Sequence, residues 1–151
     1  MELAVFVGLQ GAGKTTFYRT RLAGTHALVS KDRFPNNRHP ARRQRQLIEE
    51  ALAAGRSVVV DNTNPTAGER AELIALARAF GVAVVGYYFE SRLADCLERN
   101  RRREGKVRVP DAALYATRKR LSRPSLAEGF DREGRFEVLD WIEDVPDDEA
   151  R

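Results

Sequence analysis

The octapeptide Gly8-Leu9-Gln10-Gly11-Ala12-Gly13-Lys14-Thr15 constrains this chain more than any other feature. It fills every fixed position of the pattern G-x-x-x-x-G-K-[ST]. Glycines let successive backbone N–H groups converge on one concavity, which suits the β-phosphate of a nucleotide. A helix beginning at the end of the loop adds partial positive charge. Lys14 supplies a cation for the β- and γ-phosphates, and Thr15 a hydroxyl for Mg²⁺. The flanks fit as well: Leu3-Ala4-Val5-Phe6-Val7 reads as a buried strand before the loop, and residues 13–22 read as a helix after it. The predicted cofactor cradle is Gly8, Gln10, Gly11, Ala12, Gly13, Lys14, Thr15 and Thr16, for ATP or another purine triphosphate with Mg²⁺.

The rest of the chain repeats the alternation of strand and helix. Further strands are predicted at 27–29, 57–60, 82–89 and 136–139. Between them, Leu47, Ile48, Ala51 and Leu52 share one face of a helix over 42–54, and Gly55 stands where a helix-ending glycine belongs. A second helix over 67–80 ends at Gly81. Ser91 caps a third that carries Leu93, Cys96 and Leu97 inward, and a fourth after Pro110 carries Leu114 and Leu121. Such alternation predicts an α/β fold, a mostly parallel sheet flanked by helices, in a single domain over 1–151.

Composition narrows the setting. The net charge is +4, from 26 basic and 22 acidic residues, with arginines concentrated at 38–45 and 99–103 and acid at 143–149. A modest basic excess is compatible with nucleic acid without requiring it. The single cysteine, Cys96, cannot form an internal disulfide, and it reads as a core thiol beside Leu93 and Leu97. No signal peptide or membrane-length apolar run is visible, so a cytoplasmic location with no membrane contact and no obligatory protein partner is expected. His26 and His39 have no metal-ligand spacing. Tyr87, Tyr88, Phe89 and Trp141 read as core aromatics.

Ligands of open α/β sheets sit beyond the carboxyl ends of the strands, and two aspartates fall there. Asp32 follows the second strand and is the candidate base for an acceptor hydroxyl. Asp61 closes the third strand and is the candidate acid for holding Mg²⁺ with Thr15. Arg99 and Arg103 lie one helical turn apart, and they are predicted to share a face and cover nucleotide phosphates as a short lid. Arg42, Arg43 and Arg45 read as a solvated helix face that could also line a groove for a phosphate backbone.

Several runs together resemble the kinase domain of polynucleotide 5′-kinase/3′-phosphatases, within the P-loop nucleotide-hydrolase superfamily. They are Asp61-Asn62-Thr63-Asn64-Pro65, the helix up to Gly81, the Arg99-Asn100 and Arg103 cluster, Val109-Pro110, and Pro124-Ser125-Leu126-Ala127-Glu128-Gly129-Phe130. The resemblance covers nearly the whole chain. It implies a P-loop kinase-type sheet with a tunnel admitting a nucleic-acid 5′ end from one side and ATP from the other. Asp32 would activate the 5′-hydroxyl of DNA or RNA, with Lys14 and Arg103 assisting transfer and Asp61 supporting the metal. Asp32, Arg33, Arg38, Asn62 and Asn64 would bind substrate. Some members carry an acceptor-phosphate arginine three positions after the aspartate; here that position is Pro35, which leaves Arg33 or Arg38 to substitute. With no phosphatase or ligase domain in the sequence, a free-standing kinase is expected. Two other readings remain open at this stage: a P-loop kinase of a small hydroxylated metabolite or antibiotic, and a non-catalytic ATP-binding module.

Overall fold

The computed structural model describes residues 1–90, 92–105 and 108–131. Four strands, β1 (Glu2–Val7), β2 (His26–Val29), β3 (Ser57–Val60) and β4 (Ala83–Tyr88), form one sheet in the order β2-β3-β1-β4. All three pairings are parallel, with Leu3 opposite Val58 and Val84. The predicted strand at 136–139, Trp141, the acidic stretch and the Ser91 cap lie outside the described residues.

From Leu3 to Val7 β1 is buried on both faces, which is why that run is apolar without interruption. Its side chains alternate, so the two faces have separate cores. Leu3, Val5 and Val7 join Ile48 and Leu52 of α2 (Pro40–Ala53) and Leu73, Ile74, Leu76 and Ala77 of α3 (Ala67–Ala79). Ala4 and Phe6 face the other way, against Phe17 of α1 (Lys14–Phe17), Cys96 and Leu97 of α4 (Leu93–Arg102), and Leu114 of α5 (Asp111–Arg120). Phe6, Phe17, Tyr87 and Phe89 cluster with ring centroids 4.9–5.9 Å apart, as expected for core aromatics. Each such side chain withdrawn from water stabilises the fold by roughly 1.5–3 kcal/mol.

The predicted helix over 13–22 is two pieces. After Phe17 the backbone widens into a π-helical turn, Tyr18–Leu22, in which Ala23 N–H donates to the Tyr18 carbonyl five residues back. Thr20 Oγ1 donates to the carbonyls of Thr16 and Phe17, so a side chain takes up acceptors that a regular helix reserves for backbone.

The order of connections makes the crevice. The chain leaves β1 into α1 on one face and leaves β3 into α3 on the other, although the two strands are neighbours. The loops after β1 and β3 therefore part at their carboxyl ends, which is the position at which such sheets hold ligands.

Candidate active site

The glycine-rich loop fills the β1 side of that crevice. Gly11 and Gly13 hold φ of 81° and 91°, in the left-handed region where glycine carries no Cβ penalty. Gly11 answers a second constraint, because α4 packs directly on it: a Cβ there would lie 3.2 Å from the Cys96 carbonyl oxygen. Lys14 is buried, and its Nζ donates to the carbonyls of Gly8 (2.9 Å) and Leu9 (2.7 Å). Burial pushes its pKa below the ordinary lysine value, Arg103 adds to that, and Asp61 and Asp32 oppose it. Thr16 is buried beneath the loop, and Gly8 N–H donates to the Thr63 carbonyl from the β3 side.

Thr15 and Asp61, chosen separately from the sequence, meet here. Thr15 Oγ1 donates to Asp61 Oδ2 at 2.9 Å, across the two neighbouring strands. Asp61 is 7% exposed and its N–H is held by the Val29 carbonyl. Burial raises its carboxyl pKa, against the pull of Lys14 and the Thr15 hydrogen bond. One hydroxyl and one carboxylate are hard oxygen donors, and they suit Mg²⁺, which takes its remaining positions from phosphates and water.

The two arginines of α4 have separate tasks. Arg99 is 1% exposed and its Nη1 donates to the Gly11 carbonyl at 2.6 Å, so it holds the loop from within the fold instead of closing over it. α4 ends at Arg102, and Arg103 continues with extended backbone, half-buried and close enough to act on the charge of Lys14. The expected shared helical face is thus absent, because the helix stops before the second arginine.

Across the crevice, Asp32 sits in a 3-10 turn, Lys31–Arg33, capped by Ser30 Oγ, which accepts from Asp32 N–H at 3.3 Å. The side chain is exposed, and its carboxylate has no hydrogen bond or ion pair among the described residues. It borders a cleft of about 900 Å³ that runs from Gln10 of the loop outward between α2 and α3, past Lys31, Arg42, Gln44, Arg45 and Asn62. Arg33 and Arg38 are exposed and do not border it. Asn62 borders it while joining two elements: its Oδ1 accepts from Lys31 N–H (3.0 Å) and its Nδ2 donates to Gln44 Oε1 (2.6 Å). Asn64 also borders the cleft, while its side-chain nitrogen is committed to the fold. With φ of 43°, it donates from Nδ2 to the Phe6 carbonyl at 2.7 Å.

Sequence reasoning passed over Gln44 and Arg70. Arg70 is 0% exposed and donates to both carboxylate oxygens of Glu128, the Asn64 carbonyl and Ser122 Oγ. Its spacing from Leu73, Ile74 and Ala77 already put it on the inward face of α3. That network joins the two runs that carry the family resemblance: Ser122 N–H donates to the Pro65 carbonyl, and Glu128 Oε2 accepts from Ser125 N–H.

Comparison with known proteins agrees with this arrangement. The chain is 27% identical over 152 residues to the bifunctional polynucleotide phosphatase/kinase of Schizosaccharomyces pombe, with 95% of this chain and 36% of that protein matched. It therefore spans about a third of that relative's length. Among solved structures it is similar to Chaetomium thermophilum Kti12 in complex with ADP-AlF3, with a TM-score of 0.72, 18% identity, and 98% and 93% of the two chains covered. It is also similar to a gluconokinase from Sinorhizobium meliloti 1021, with a TM-score of 0.65, 20% identity, and 99% and 89% covered. The chain shares with these neighbours a parallel sheet flanked by helices, the P-loop kinase fold. Residues 3–124 match the AAA_33 family of AAA domains, and the chain belongs to that family.

Proposed function

We propose that this chain transfers the γ-phosphate of ATP to the 5′-hydroxyl end of a nucleic-acid strand. The observation that carries the reading is the cleft. It runs from Gln10 of the phosphate-binding loop past the Asp32 carboxylate, which has no partner among the described residues, and out between the cations of Lys31, Arg42 and Arg45 on one side and Glu69 and Glu72 on the other. The match to a polynucleotide phosphatase/kinase supports the same acceptor.

In this mechanism Lys14 and the loop N–H groups neutralise the β- and γ-phosphates, and Arg103 adds a second cation from the end of α4. Thr15 Oγ1 and Asp61 Oδ2 would hold Mg²⁺, which would supply neutralisation of phosphate charge. Asp32 takes the proton of the 5′-hydroxyl as that oxygen bonds to the γ-phosphorus. The bond from phosphorus to the β–γ bridging oxygen breaks, and ADP leaves with the electron pair. The proton then passes from Asp32 to water. Asn62 holds the backbone of the Asp32 turn through Lys31 N–H, and so positions the base.

The test is transfer of γ-labelled phosphate to 5′-hydroxyl DNA and RNA oligonucleotides with Mg²⁺, beside 5′-phosphorylated controls and gluconate-type polyols. Label is expected on the 5′-hydroxyl strands alone. Asp32→Ala is expected to keep ATP binding and to lose about 10²- to 10⁴-fold in transfer, the usual contribution of a general base. Label on polyols but not on strands would move the chain to small-molecule kinases, and undiminished transfer by Asp32→Ala would remove the base assignment.

A further inference from the structure

The cleft wall formed by α2 contains a polarity relay. Lys31 N–H is a donor and nothing else, so the Asn62 atom 3.0 Å from it is the oxygen. That places the Asn62 nitrogen against Gln44, so the Gln44 atom 2.6 Å from it is also an oxygen. Each amide orientation follows from the one before, and the first is fixed by the backbone. Gln44 is consequently left with its NH2 group as the free end. Gln44 is 8% exposed, it borders the cleft, and its Nε2 has no partner among the described residues.

We infer that Gln44 is an acceptor-binding residue whose Nε2 donates to a phosphate oxygen of the incoming strand, with its orientation set by Asn62 and Lys31. The inference rests on the proposed polynucleotide substrate and adds the group that reads it. Two features of the cleft favour a phosphate over a sugar hydroxyl at this place. Arg42 and Arg45 border the cleft from the same helix, beside the apolar Ala41 and Ile48, so the polar side-chain groups that α2 lines it with, besides the Gln44 oxygen, are donors, with Arg45 Nε also tied to Glu49. The opposite wall on α3 carries Glu69 and Glu72, with Glu69 tied to Arg120. An anionic backbone therefore lies along α2. This also accounts for the position three residues after Asp32 being Pro35: the contact an arginine would make there is supplied from the next helix.

Gln44→Glu isolates the donor. Its carboxylate still accepts from Asn62 Nδ2, so the turn holding Asp32 keeps its support, while the group facing the cleft becomes an anionic acceptor. The expected result is a KM for 5′-hydroxyl oligonucleotide raised roughly tenfold or more, the scale of one hydrogen bond to a charged group. The KM for ATP stays where it was. Gln44→Ala is expected to raise the oligonucleotide KM by less, since it removes the donor without adding repulsion. Parent-like oligonucleotide KM in both variants, with the parent phosphorylating strands, would overturn the Gln44 assignment and leave the kinase reading intact. Binding of the same oligonucleotides by fluorescence anisotropy separates the other case: a parent that neither binds nor phosphorylates strands removes the polynucleotide reading, and the Gln44 phosphate contact with it.

Discussion

At the scale of single residues, Asp61 is under the most conflicting demands. The proposed cation role requires it ionised, yet it is buried beside a buried lysine, and burial sets the direction of its pKa. A folded-state pKa above the unfolded one means that the folded protein holds that proton more tightly. Stability contributed by the proton is present in acid and lost as pH rises through the raised value. Asp61→Asn carries no such cost. Without nucleotide, it should melt above the parent at neutral pH, with the gap closing as pH falls. Thermal unfolding followed across pH checks this, and a lower melting temperature for the variant at neutral pH would mean that attraction to Lys14 outweighs burial. The paired carboxylate and hydroxyl were legible in the sequence because each occupies a fixed place in a local pattern. The task of Asn64 was not: an asparagine before proline reads as a substrate contact or a turn, and only its φ of 43° and its bond to Phe6 show that it ties β3 to β1.

Among the elements, α4 does most to define the donor side. It lies so close to the phosphate-binding loop that a methyl group on Gly11 would crowd its backbone, and Arg99 reaches from it to the Gly11 carbonyl. Gly11→Ala forces a left-handed conformation on a residue with a Cβ, at about 1–2 kcal/mol, and presses that Cβ on backbone 3.2 Å away. Stability and ATP affinity should fall together, read by denaturant unfolding and nucleotide titration; unchanged affinity would show that the loop tolerates a shift of α4. The strands and helices were read from periodicity to within a residue or two at most ends, since both faces of the sheet impose their own repeat. The π-helical turn at Tyr18–Leu22 escaped that reading because it depends on Thr20 side-chain bonds that leave the apolar spacing unchanged. Arginine runs mislead for a related reason. Arg99 and Arg103 look alike in sequence, and they separate only when the point at which α4 ends is known.

For the whole molecule, the decisive contact is the one between Arg70 and Glu128, which fastens the segment after α5 to the loop after β3. Arg70 is fully buried, so removing its carboxylate leaves an uncompensated charge. Glu128→Ala should destabilise the fold by about 3 kcal/mol or more, whereas the paired replacement Arg70→Met with Glu128→Leu should recover much of that loss. Chemical denaturation of both variants decides it, and equal losses would mean that the ion pair has a further structural task. Two stretches that looked from their residue types like recognition motifs thus also have an architectural role.

The cross-strand bond between Thr15 and Asp61 has a consequence for how such a chain can diversify. Because β1, β3 and the loops that follow them are bonded into one block, the socket for the triphosphate is a fixed part. α2 meets that block through its buried side and the bond from Asn62 to Gln44, and it presents Arg42 and Arg45 to the cleft from exposed positions. On the proposed function, acceptor preference is therefore an interchangeable fitting: it can be rewritten on one helix face while the engine beside it runs unaltered.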